Sequence, residues 1–131
     1  MAHDPSSLSP EVTAFLTERH LATLTTVRPD GTLHVVAVGF TWDAETELVR
    51  IITRAGSRKA RNLLDRPGSP AAVGQVDGRR WLSLEGTGIV TADPERVREG
   101  VTRYATRYRE PQPRDDRVVI EIAVTQILGQ A

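Results

Sequence analysis

The chain has 131 residues, enough for one domain whose core needs neither disulfide nor metal to hold it. It contains no cysteine, which removes disulfide staples, thiolate metal sites and thiol nucleophiles. Its 17 basic and 17 acidic residues cancel, so no net field favours nucleic acid or an anionic membrane as partner, and no apolar run approaches the ~20 residues that cross a bilayer.

Met1 to Ser7 lacks the basic region and apolar stretch of a secretory signal, and with the absence of cysteine this gives a cytoplasmic expectation. Residues 1–8 read as a flexible tail and residues 9–131 as a single domain. Ser9-Pro10-Glu11 starts a helix: a hydroxyl cap, proline at the first helical position and an acid in the first turn. Val12, Phe15 and Leu16 then form one apolar stripe, predicting a short helix over about 10–19.

From Leu21 the period changes. A β-branched run to Val27 ends at Pro29-Asp30-Gly31, a tight-turn signal, and a second strand runs from Thr32 to about Trp42. Asp43 to Glu47 turns the chain into a third strand, Leu48 to Thr53. Gly56-Ser57 opens a second helix that stops before Arg66-Pro67-Gly68-Ser69-Pro70. Ala71 to Val76 and Trp81 to Val90 are the fourth and fifth strands, joined at Asp77-Gly78, with Gly86 and Gly88 marking a bulge or barrel corner. Asp93-Pro94-Glu95 starts a third helix that reaches about Arg109, and Val118 to Leu128 is the sixth strand. Hairpin-linked strands with few helices between them predict a mainly β fold, an antiparallel sheet closed into a six-stranded barrel.

Three stretches can carry chemistry. Thr53 to Asn62 lies at a strand-to-helix junction, where free N–H groups and the helix dipole meet the charges of Arg54, Arg58, Lys59 and Arg61. Lys59 is the only lysine in the chain. Ser57 can cap the helix or donate to an anion, so the segment reads as a phosphate site or as a solvated basic face. His34 to Phe40 is nearly all small and apolar, suited to a flat ring lying on the backbone or to burial on both faces. Trp81 can stack on a ring, or fill the core or a dimer interface. Tyr104 and Tyr108, at i and i+4, fit packing of the third helix better than ligand binding. The three histidines show no metal-ligand spacing, and no dinucleotide, P-loop or nucleophile-elbow motif occurs. No metal site and no catalytic acid–base pair is assigned.

The order of "ATLTTVRPDGTLHVVAVGF", "ITRAGSRKARNLLDRPGSPAAV", "RWLSLEGTGIV" and "RVVIEIAVTQILG" resembles the pyridoxamine 5'-phosphate oxidase-like split-barrel family over about residues 9–129. Within it the chain is most similar to the F420-dependent branch, the flavin/deazaflavin oxidoreductases. The Ser-x-Lys-x-x-Asn spacing of Ser57, Lys59 and Asn62 is its most specific element, and "HVVAVGFTWD", "VDGRRWLSLEG" and "RYREPQP" are similar to the F420-dependent biliverdin reductases of actinobacteria.

The resemblance implies a six-stranded split barrel forming a homodimer, with two cofactor sites at the subunit interface. It places Thr53, Ser57, Arg58, Lys59 and Asn62 near the cofactor phosphate, His34, Val36, Ala37 and Val38 near the ring, and Trp81 towards the partner's site. It implies hydride transfer from reduced coenzyme F420 to an unsaturated small-molecule acceptor such as a tetrapyrrole, biliverdin included, whose two propionates would seek Arg54 and Arg58. The cofactor would carry the chemistry, which accounts for the absence of an acid–base pair. FMN is the alternative cofactor, in an oxidase of the same family. A non-catalytic carrier of F420, flavin or tetrapyrrole is the alternative of a different class.

Overall fold

Each helix begins where its capping chemistry predicts. The computed structural model describes residues Met1–Ala131. Helix α1 (Pro10–Thr17) is capped by Ser9, whose hydroxyl accepts from the Val12 N–H, and it buries Val12, Phe15 and Leu16. Helix α2 (Arg58–Asp65) is capped by Ser57, and α3 (Pro94–Arg107) by Asp93, which accepts from the Arg96 N–H at 3.0 Å. These caps satisfy donors that would otherwise stay unpaired in the first turn.

Eight strands make one antiparallel sheet. They are β1 (Ala2–His3), β2 (Ala22–Val27), β3 (Leu33–Val38), β4 (Thr41–Asp43), β5 (Leu48–Arg54), β6 (Ser69–Asp77), β7 (Arg80–Thr91) and β8 (Arg117–Gln130). Six of them are the strands read from the pattern; β1 and β4 are short additions to that count. The path runs β3-β2-β6-β7-β8-β5-β4, with β1 on β8. Its two end strands, β3 and β4, are consecutive in the chain and separated only by Gly39 and Phe40. The sheet must therefore curl until its edges meet at that corner, which makes a barrel split along one seam. Leu24, Phe40, Ile51, Leu84 and Ile122 fill its interior with helix residues Phe15 and Leu63.

The second predicted strand is broken at Gly39-Phe40, and helix α3 is the cause. Gly39 lies against the Tyr104 and Tyr108 rings, where a Cβ would come within 3.1 Å. The Phe40 N–H donates to the Tyr108 hydroxyl at 3.1 Å, and Arg107 donates to the Phe40 carbonyl at 2.7 Å. The corner's backbone groups are thus satisfied by side chains rather than by a neighbouring strand.

The first residues are not a loose tail. Ala2 and His3 pair with Leu128 and Ile127, and the His3 ring meets the Gly129 carbonyl at 2.9 Å. β8 outruns β5, whose pairing stops at Ala123, and the spare edge takes up β1. The glycine signal in β7 corresponds to a register shift between Glu85 and Gly86. A Cβ on Gly86 would lie 1.9 Å from the Ala123 carbonyl oxygen.

Candidate cofactor site

The seam of the barrel is where a ligand can enter. β3 pairs only with β2, and β5 pairs with β4 only over Leu48–Arg50. One edge of β3 and the edge of β5 beyond Arg50 therefore have no strand partner. Between them lies a cleft of about 350 Å³. Ala37, Val38 and Gly39 form one wall and Ile51, Ile52, Thr53 and Arg54 the other. Lys59 from α2, Tyr104 from α3, and Pro111, Arg114 and Arg117 close it.

Every charge on this lining is positive: Arg54, Lys59, Arg114 and Arg117. Arg114 meets Asp116 at 3.5 Å, while the other three form no ion pair. Lys59 is half-buried, and its pKa is lowered first by burial and then by the Arg54 charge. His34 lies nearby on β3. Its pKa is lowered by burial and by Arg28, Lys59 and Arg58, and its Nδ1 is buried without a hydrogen-bond partner. A positive, partly enclosed cleft favours an anionic occupant.

Of the residues singled out from sequence, Ala37, Val38, Thr53, Arg54 and Lys59 line the cleft. The others stand outside the lining. Ser57 is buried as the α2 cap, accepting from the Ala60 N–H at 3.3 Å and from the Thr53 hydroxyl at 3.1 Å. Asn62 is buried and donates to the Thr26 hydroxyl at 2.9 Å, while its own Oδ1 has no partner. These two side chains fix the start of α2 against β5 and β2, and so place Lys59. Arg58 is exposed on the first turn of α2. His34 and Val36 are half-buried on β3. Trp81 is 41 % exposed on β7 and does not reach the cleft of its own chain.

Sequence reading missed Gly39, Ile51, Ile52, Tyr104, Pro111, Arg114 and Arg117. Gly39 was detectable as the one residue without a side chain in an apolar strand. Tyr104 is half of the i, i+4 tyrosine pair. Tyr108 packs the helix down, its hydroxyl donating to the His20 carbonyl at 2.6 Å, but Tyr104 also faces the cleft. The rings lie 4.9 Å apart.

A model of the family described as pyridoxamine 5'-phosphate oxidase matches residues 8–131. The chain belongs to that family. Among relatives of this pyridoxamine 5'-phosphate oxidase family member is the F420H(2)-dependent biliverdin reductase of Mycobacterium tuberculosis (strain CDC 1551 / Oshkosh). It is 53% identical over 131 residues, which cover 100% of this chain and 94% of that protein. A solved F420 reductase has a TM-score of 0.71 at 29% identity, covering 88% of this chain and 94% of its own. The heme storage protein HutZ of Vibrio cholerae has a TM-score of 0.75 over 93% of this chain and 94% of its own. At 18% identity that likeness concerns the fold.

No group of three or more His, Asp or Glu side chains stands together as a metal site, and no helix is long and apolar enough to cross a membrane.

Proposed function

We propose that this protein is an F420H2-dependent reductase that passes a hydride from reduced coenzyme F420 to an unsaturated organic acceptor, with the tetrapyrrole biliverdin as the first acceptor to test. One observation carries the reading: the seam cleft is lined by four cations and no acid, in a chain 53% identical over its whole length to an F420H(2)-dependent biliverdin reductase.

The residues present fit an anionic deazaflavin. Lys59 and the start of α2 suit its phosphate, with Ser57, Arg58 and Asn62 ordering that end. Ala37 and Val38 leave a strand backbone open to a flat ring, with Ile51 and Ile52 on the opposite wall. His34 and Val36 continue the β3 side. When bound, the reduced cofactor supplies two electrons and one hydrogen as hydride, and the acceptor completes its reduction by taking one proton. The side chains of the cleft that carry exchangeable protons are Thr53, Lys59, Tyr104 and the three arginines. What the protein itself does is orient the two molecules and exclude water from between them.

The working unit is a homodimer in the cytoplasm. On one face of the sheet Leu33, Val35, Val76 and Trp81 are 63, 59, 71 and 41 % exposed. Thr25 lies opposite Val35 on one side and Ala72 on the other, so small residues fill the rows between them. A broad apolar face of this kind fits a second copy of the chain. Trp81 would then act at the cleft of the partner.

The test is parallel titration of the purified protein with F420, FMN and heme, followed by acceptor-dependent oxidation of reduced F420. F420 should bind most tightly and be oxidised only when acceptor is present. Tighter FMN binding with oxygen consumption would reject the reading in favour of a flavin oxidase. Binding without turnover on any unsaturated acceptor would reject it in favour of a carrier.

A further inference from the structure

Arg54 and Arg117 are direct cross-strand partners at the end of the β5–β8 ladder, and both line the cleft. Like charges opposite one another on antiparallel strands destabilise the pairing. The backbone does not let them part, because the ladder continues past them with the Ala55 N–H donating to the Asp116 carbonyl at 2.8 Å. Arg117 gives one nitrogen to the Gln112 carbonyl at 2.7 Å, and Arg54 makes no side-chain hydrogen bond. Neither has an acidic partner, and no carboxylate lines the cleft. Lys59 adds a third positive charge beside Arg54.

A cofactor phosphate neutralises at most about two charges, so with Lys59 satisfied the cleft still holds unmatched guanidinium groups. Their side-chain type is informative. A guanidinium presents a planar fork that matches a carboxylate through two parallel hydrogen bonds, which an ammonium cannot do.

We propose that Arg54 and Arg117 together hold a carboxylate of the acceptor. The acceptor is then an organic acid: a conjugated molecule with at least one carboxylate set apart from the carbon that receives the hydride. This rests on the reductase reading and adds the group by which the acceptor is recognised. The acidic tail of the cofactor is the other source of carboxylates in such a cleft, and the test separates the two.

The experiment uses the full chain and equilibrium binding, followed by absorbance or fluorescence, so that it is independent of turnover. The ligands are biliverdin, its dimethyl ester and F420; the variants are Arg54→Gln, Arg117→Gln and Arg117→Lys. Each Gln variant should weaken biliverdin binding roughly ten- to a hundredfold and leave the ester within about twofold. Arg117→Gln should leave F420 affinity within about threefold, and Arg117→Lys should recover only part of the loss. The melting temperature without ligand should hold or rise, since a repulsion is removed. Wild-type protein that binds acid and ester alike overturns the proposal, as does equal loss of both in the variants. A loss confined to F420 also overturns it and assigns the pair to the cofactor's tail. Wild-type protein that binds biliverdin over its ester but not F420 would reject the reductase reading and leave the arginine pair standing.

Discussion

Arg107 donates to the Phe40 carbonyl at 2.7 Å, and that bond ties the last turn of α3 to the corner where the sheet's two ends meet. The same guanidinium donates to the Glu18 carbonyl at 2.8 Å and to Gln75 Oε1 at 2.6 Å, and it lies 4.6 Å above the centre of the Phe40 ring. Gln75 is fully buried and donates in turn to the Phe15 carbonyl. One side chain therefore joins α3, β6, the corner and the end of α1.

Arg107→Met should cost about 2–4 kcal/mol, because it leaves several acceptors without their donor while keeping most of the aliphatic packing. Urea denaturation measures it. Adding Gln75→Leu in that background should recover part of the loss, since the stranded acceptor is then removed. Strict additivity of the two losses would show that the residues do not act as a unit.

Lys59→Met separates binding from folding. The folded pKa of Lys59 lies below its unfolded value, so the unfolded chain holds that proton more tightly and stability rises with pH between the two values. The charged ammonium is thus a small liability without ligand. The apo melting temperature at neutral pH should hold or rise slightly, while F420 affinity falls roughly ten- to a hundredfold. Unchanged affinity would show that the lysine faces only solvent.

Asp43 predicts the acid limb of stability. Burial acts to raise its pKa, but hydrogen bonds from Arg50, Thr46 and the Glu45 N–H, with the Arg103 charge, outweigh it and bring it to about 2. Arg50 lies at 2.9 Å and Arg103 at 3.2 Å. Because the folded pKa is below the ordinary 3.8, this stabilisation is present above the unfolded value and is lost as pH falls towards 2. It amounts to roughly 2 kcal/mol. Asp43→Asn should flatten stability between about pH 4 and 2, and at pH 7 should cost about 3–5 kcal/mol by leaving buried Arg50 unpaired. Chemical denaturation across that pH range tests both.

Val35→Asp addresses assembly. Val35 is 59 % exposed on β3, so a carboxylate there should leave the single chain folded. Light scattering should show a 14.4 kDa species in place of a dimer, with weaker F420 binding. A dimer that persists would move the interface to another face.

What the sequence disclosed and what it hid divide by range. Ser9, Ser57 and Asp93 act within one turn, so their helices could be read locally. The long strands followed from period and turn residues in the same way. The break at Gly39 could not, because its cause is an aromatic pair more than sixty residues downstream. The cleft shows the same division. Thr53, Arg54 and Lys59 belong to one short segment, whereas Arg114 and Arg117 join them only through the β5–β8 pairing. For Ser57 the sequence left a cap or an anion donor open and the structure shows the cap, whereas the anchoring of Asn62 on Thr26 is a long-range contact that only the structure shows.

The seam has a consequence for solubility. An unpaired strand edge is a template on which another chain can add, and this barrel has two such edges facing one gap. Lys59 and Arg54 stand in that gap, and an incoming strand would have to bury both without a counter-ion. The cations that invite a small anion therefore repel a peptide backbone, and neutralising both should increase aggregation of the unliganded protein even where its melting temperature is unchanged.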